Sequence, residues 1–207
     1  MQKSFRVTDQ NQASLVHAKT KKQKRLEGFH YTPFYCEENI WQLCHHMEFA
    51  GKPGWVVFIS NPARKCAIWH AKLAGDSHQP VIWDYHVILM TKSPHLRVWD
   101  FDTRLGFPIS APCYFNYSFR ENAPKQLQPR FKLVQVSRFI EEFSSDRGHM
   151  RGLRGEWLAS PPDWPFIGQG RPSNLLEYAD MSQDFGGRRF TLPGLRQFLK
   201  LKPDDCP

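Results

Sequence analysis

No apolar stretch in this chain is long enough to cross a bilayer, and its first residues lack the apolar run of a secretory signal. The sequence therefore predicts a soluble intracellular protein without a membrane partner. Cysteine is sparse and unpatterned. Cys36, Cys44, Cys66, Cys113 and Cys206 contain no C-x-x-C pair, which predicts free thiols in a reducing compartment and no disulfide framework. Zinc-finger spacing and the aromatic signature of RNA-recognition modules are also missing. Cys44, His45 and His46 are adjacent, so on a helix they point in different directions, and neither a metal nor another cofactor is expected. No internal repeat is present.

What the chain does have is aromatic bulk. Seven Trp, six Tyr and sixteen Phe in 207 residues supply the apolar area for one sizeable core, and the length favours one domain. The net charge of +8 is unevenly spread: residues 1–30 carry seven Lys or Arg against Asp9 and Glu27, which is +5 of the total. Residues 1–28, with "KTKKQKR", read as a flexible basic extension, and residues 29–207 as the single folded domain. A nuclear-import or polyanion-binding use of that extension is the competing reading of the basic run.

Ile40, Leu43, Cys44 and Met47 recur at helical intervals and predict a helix from Glu37 to about Phe49, which "GKPG" ends. Strands are predicted at 55–60 ("WVVFIS") and 66–73 ("CAIWHAKL"). "PVIWDYHVILMTK" and "LRVWDFDT" follow as two longer strands of an antiparallel hairpin. "FKLVQVS" (131–137) is a strand running into a helix at 138–143, residues 151–173 are loop, and helices are expected near 174–181 and 192–200. This order predicts an α+β fold, with helices packed on a mostly antiparallel sheet.

Alternation sorts the hairpin side chains by face. Val81, Trp83, Tyr85, Val87 and Leu89 share one face; Ile82, Asp84, His86, Ile88 and Met90 share the other; Val98, Asp100 and Asp102 alternate with Trp99 and Phe101. A register that sets His86 near Asp100 or Asp102 makes an imidazole–carboxylate pair, and the pattern alone does not choose between the two acids. Cys36 stands at the predicted helix start, where unpaired backbone N–H groups and the macrodipole favour a thiolate. A thiol, a base and an acid that orients the base are the parts of a nucleophilic triad.

"YCEENIWQLC", "VIWDYHVIL" and "WDFDTRLGFP", with "FISN" between the first two and "FSSDRGHM" after the third, resemble the protein N-terminal glutamine amidohydrolase family from about Tyr35 to Leu199. The resemblance implies a papain-like or transglutaminase-like cysteine hydrolase fold. Its catalytic triad would fall on Cys36, His86 and Asp100. It implies a protein or peptide substrate beginning with Gln, converted to Glu with release of ammonia, by a monomer that feeds an N-degron degradation route. Recognition of the substrate's α-ammonium calls for acids near the nucleophile, and Glu37, Glu38, Asp84 and Asp102 are the candidates, with Trp83 and Trp164 as pocket walls. Two other readings stand beside this one. The first is a cysteine peptidase or transglutaminase-like acyl transferase, which shares the chemistry up to the thioester. The second is a nucleic-acid-binding module using the basic extension.

Overall fold

The computed structural model describes residues 28–46, 49–92, 94–202 and residue 206. The basic extension, apart from Gly28, lies outside them, as does Met47. The fold is α+β. Helix α1 (Cys36–His45) begins one residue before the predicted start and ends well before Phe49, because His46 turns extended and its N–H bonds back to the Leu43 carbonyl. Its apolar stripe of Ile40, Leu43 and Cys44 is buried, and each such aliphatic side chain contributes roughly 1.5–3 kcal/mol on leaving water. Glu37 and Glu38 in the first turn suit the positive end of the helix dipole.

The strands of the main sheet are β1 (Gly54–Ser60), β4 (Tyr85–Lys92), β5 (Leu96–Trp99), β6 (Ile109–Ser110), β7 (Arg130–Gln135) and β8 (Arg188–Thr191). They lie in the order β6-β5-β4-β1-β7-β8, with every pairing antiparallel. Two short strands, β2 (Cys66–Ile68) and β3 (Val81–Trp83), pair in a separate ribbon. The predicted hairpin is present, but its first strand is broken in two at Asp84. The Asp84 carboxylate accepts the next backbone N–H and its carbonyl accepts the Ser60 hydroxyl, so the chain bends there and passes from one sheet to the other. The predicted strand at 66–73 ends at Ile68.

Two helices cover one face of the main sheet beside α1. These are α3 (Val136–Glu142) and α4 (Leu175–Ala179), packed with Val56, Phe58, Tyr85, Val87 and Leu89. On the other face α2 (Ala111–Ser118) and α5 (Leu192–Leu199) pack over Val57, Ile59, Ile88, Met90 and Val98. Lys132 of β7 is wholly buried. Its ammonium donates to the Glu177 and Asp180 carbonyls, where it satisfies orphan acceptors at the C-terminal end of α4.

The expectation of five free thiols is corrected by a disulfide between Cys113 and Cys206. The two are 93 residues apart, and α5, packed on the same face as α2, carries the chain end to Cys113, so no local spacing could announce the pair. Cys36, Cys44 and Cys66 are thiols that take part in no disulfide.

Candidate active site

Cys36 opens α1 and is nearly buried, 6 % exposed. Its Sγ lies 3.5 Å from Glu37 Oε2, which also accepts the Tyr85 hydroxyl at 3.1 Å. The other Glu37 oxygen is in ion-pair contact with His149 Nε2 at 3.1 Å. Glu38 is equally buried but faces different partners. Arg147 grips it through Nε and Nη2, both at 2.8 Å, and the Trp164 indole donates to it at 2.7 Å. Burial and the charge of Glu37 push the Glu38 carboxyl above its ordinary range despite Arg147. Two adjacent buried carboxylates are tolerable because each accepts from its own donors and Glu38 is paired with Arg147.

The His86–Asp100 pair has the geometry the alternation predicted. Nε2 of His86 lies 2.9 Å from Asp100 Oδ1, and both side chains are buried. Asp100 Oδ1 also accepts the Asp102 backbone N–H at 2.8 Å, and its Oδ2 accepts the Tyr114 hydroxyl at 2.8 Å. With Nε2–H committed to Asp100, the tautomer leaves Nδ1 as the basic nitrogen, and Nδ1 is buried without a hydrogen-bond partner among the described residues. Burial works against the imidazolium, but Asp100, by charge and hydrogen bond, and then Asp102 and Glu37, overcome it and hold His86 above its ordinary pKa. Asp100 moves the other way: burial would raise it, yet His86, the Asp102 N–H and Tyr114 together bring it below the usual carboxylate range. Asp102 is raised by burial and by the charge of Asp100. Its Oδ1 accepts from Tyr31 at 2.6 Å. His86, Asp100 and Asp102 offer ligand atoms within 4.8 Å of one another, a spacing a cation could use, but the hydrogen bonds just described already engage them.

Strict alternation puts these groups on different sides of the sheet. Cys36 belongs to the cluster under α1, whereas His86 and Asp100 project with Ile88, Met90 and Val98. The β4–β5 ladder, however, stops at Leu89–Trp99, short of His86 and Asp100. Tyr31 packs with the α1-side cluster, stacks on Phe101 and still reaches Asp102, so the two sides communicate where the ladder has ended. Burial raises the Tyr31 hydroxyl, and the charge of Asp102 beside it adds to the shift.

The remaining sequence candidates separate. Trp83 tilts over the His86 ring with centroids 5.0 Å apart. Asp84 stays at the bend, 3.7 Å from Arg64, outside the acid cluster. His45 bonds its own helix and His46 meets Phe29, so neither joins Cys44 in a ligand set. Burial pushes the Cys44 thiol up to about 12, which makes it inert. Sequence reasoning missed Tyr31, Tyr114 and Arg147. Arg147 stood within the quoted "SDRGHM" and was legible as a charge; the two phenols were only aromatics. A cavity of about 380 Å³ between Trp55, Leu133, Gly187 and Phe198 lies at the far end of β1 and takes no part in this site.

The model of a family described as N-terminal glutamine amidase matches residues 31–199. Proteins named protein N-terminal glutamine amidohydrolase are similar over most of the chain. That of Bos taurus is 35 % identical over 173 residues, covering 79 % of this chain and 83 % of its own. That of Homo sapiens is 34 % identical over 172 residues, with 78 % and 83 % covered. That of Arabidopsis thaliana is 35 % identical over 168 residues, with 74 % and 76 % covered.

Proposed function

The chain belongs to the N-terminal glutamine amidase family, and we propose that it converts the first residue of Gln-initiated proteins and peptides to Glu through a triad of Cys36, His86 and Asp100. The observation that carries this reading is the His86–Asp100 pair, which leaves a buried Nδ1 next in sequence to Tyr85, whose hydroxyl shares Glu37 Oε2 with the Cys36 thiol.

In the proposed cycle the Cys36 thiolate, formed by proton transfer to His86 Nδ1, attacks the side-chain amide carbon. The developing oxyanion is held by backbone N–H groups at the start of α1, that of Cys36 among them. The intermediate collapses with the C–N bond breaking as His86 passes its proton to the nitrogen, so ammonia leaves and a thioester remains. Water, deprotonated by the now neutral imidazole, attacks the thioester carbon, the C–S bond breaks, and Glu and the thiol are regenerated. Asp100 holds the ring tautomer throughout and offsets the imidazolium charge. Glu37 and Asp102 are the acids placed to receive the substrate's α-ammonium. Glu38 is held by Arg147 and Asp84 stands apart, so both drop from that role. We read the thiol at the helix start, the His of β4 and the Asp just past β5 as the parts of a papain-like or transglutaminase-like fold. We read residues 29–207 as one catalytic domain, acting as a monomer in the cytoplasm or nucleus and supplying an N-degron route with Glu-initiated proteins.

The test compares ammonia release and mass change on peptides beginning with Gln, beginning with Asn, α-acetylated, and carrying Gln only internally. Turnover is expected on the first alone. Cys36→Ala should abolish it with the fold intact, and His86→Gln should slow alkylation of Cys36 near pH 6. Retained ammonia release in Cys36→Ala excludes the nucleophile; backbone cleavage or crosslinking would favour the peptidase or acyl-transferase reading.

A further inference from the structure

We propose that Tyr114 of α2 is a positioning residue for this reaction, acting through Asp100 to set the orientation and basicity of His86. The inference rests on the triad reading above and adds to it a group on the opposite side of Asp100 from the imidazole.

Ala111, Tyr114, Phe115 and Ser118 form the buried face of α2, at the spacing that one side of a helix presents to a sheet. Tyr114 is wholly buried and packs edge-on to Phe115 and Phe119. For filling that space a phenylalanine would serve as well. A phenolic hydroxyl is costly to bury unless it is bonded, and this one donates to Asp100 Oδ2 at 2.8 Å. Each oxygen of Asp100 is thereby fixed by a different element: Oδ1 by His86 of β4 and the Asp102 N–H, Oδ2 by Tyr114 of α2. A carboxylate held at both oxygens cannot rotate, so the line from Oδ1 to Nε2 is fixed and with it the direction of Nδ1.

The bond also tunes charge. Donation from Tyr114 draws electron density from Asp100 and moderates its pull on the imidazolium, which Asp102 and Glu37 also support. Removing the hydroxyl should strengthen that pull and loosen the geometry at the same time. A stronger phenolic donor should weaken the pull and keep the geometry.

The experiment uses the full chain and a Gln-initiated peptide, following ammonia release across pH. Tyr114→Phe should lower kcat about tenfold or more, leave KM within about twofold, and move the alkaline limb of the kcat/KM profile to higher pH. Substituting 3-fluorotyrosine at position 114, which makes the hydroxyl a better donor at almost unchanged volume, should move that limb to lower pH. Opposite displacements from the two variants are the expected signature, since damage to packing does not change sign with donor strength. If Tyr114→Phe does not fold, the fluorotyrosine protein decides alone: a limb that stays in place, or moves upward, overturns the proposal. A folded Tyr114→Phe with wild-type kcat and pH profile overturns it too. Absence of ammonia release from the wild-type protein would instead strike the functional reading on which the proposal stands.

Discussion

Replacing Arg147 with methionine should be among the most damaging single changes outside the proposed triad, and its cost should grow with pH. The guanidinium is 4 % exposed, holds both oxygens of the fully buried Glu38 at 2.8 Å, and donates to the carbonyls of Pro162 and Trp164. Removing one partner of such a pair leaves a buried carboxylate uncompensated, which typically costs about 3–5 kcal/mol, roughly a fifth or more of the stability of an ordinary domain. Protonation gives the variant an escape. Burial already raises the Glu38 pKa with Arg147 in place. Without the guanidinium the native state of the variant binds a proton that its unfolded state, with an ordinary carboxyl, releases. A carboxyl raised on folding contributes stability below its unfolded pKa and loses it as pH rises through the folded value. Below that value the deficit should therefore shrink to the loss of neutral hydrogen bonds, about 1–2 kcal/mol. Urea unfolding of wild type and Arg147→Met at pH 5 and pH 8 measures both quantities. A deficit below about 1 kcal/mol at pH 8, or one independent of pH, would refute the account of Glu38 as an anion stabilised mainly by Arg147.

Asp100→Asn should lower kcat by about 10²- to 10⁴-fold, by removing the acceptor that fixes the His86 tautomer. His86 is raised on folding, so the stability it gains from Asp100 is present below the unfolded histidine pKa and lost as pH rises through the folded one. Thermal unfolding from pH 5 to pH 9 should accordingly show the gap between wild type and Asp100→Asn narrowing toward alkaline pH; a gap that widens contradicts the coupling. Lys132→Met should cost about 1–3 kcal/mol at neutral pH, because two carbonyls at the end of α4 lose their donor. The buried ammonium is lowered to about 8, so above that pH the unfolded wild type holds the extra proton and the wild type gains stability that the variant does not. The deficit should grow from pH 8 to pH 10, as denaturant titrations at the two pH values would show.

How much of this site was legible in the sequence depends on which physical rule placed each residue. Strand alternation sorted each strand by face, and it allowed a His86–Asp100 pair only in one parity of register, which the Leu89–Trp99 pairing supplies. It could not separate Asp100 from Asp102, which share that face; the structure shows His86 bonded to Asp100 and Tyr31 to Asp102. The break at Asp84 was hidden by a continuous run of strand-forming residues, and only the local carboxylate-to-backbone bond reveals it. Helix α2 was missed because its apolar face is short and Pro112 stands in its first turn, where proline is tolerated although it reads as a helix breaker.

The same rule that found the pair also sets a difficulty that the fold resolves. Alternation assigns His86 to the side of the sheet away from α1, so a thiol at the start of α1 meets the imidazole only if the sheet ceases to be a barrier. It ceases at Leu89–Trp99, where the β4–β5 ladder ends. Had the ladder continued to Asp100, the backbone hydrogen bonds between β4 and β5 would close the route and Tyr31 could not reach Asp102. The early end of the hairpin is thus a condition of the proposed chemistry. A chain whose next residues after Trp99 were apolar and strand-forming would zip on, whereas "DFD" cannot: its two carboxylates need donors, and the donors they take, His86, Tyr114 and Tyr31, come from three different segments. Polar satisfaction of Asp100 and Asp102, and not strand propensity, fixes where the sheet opens and so where the proposed thiolate–imidazole pair would have to form.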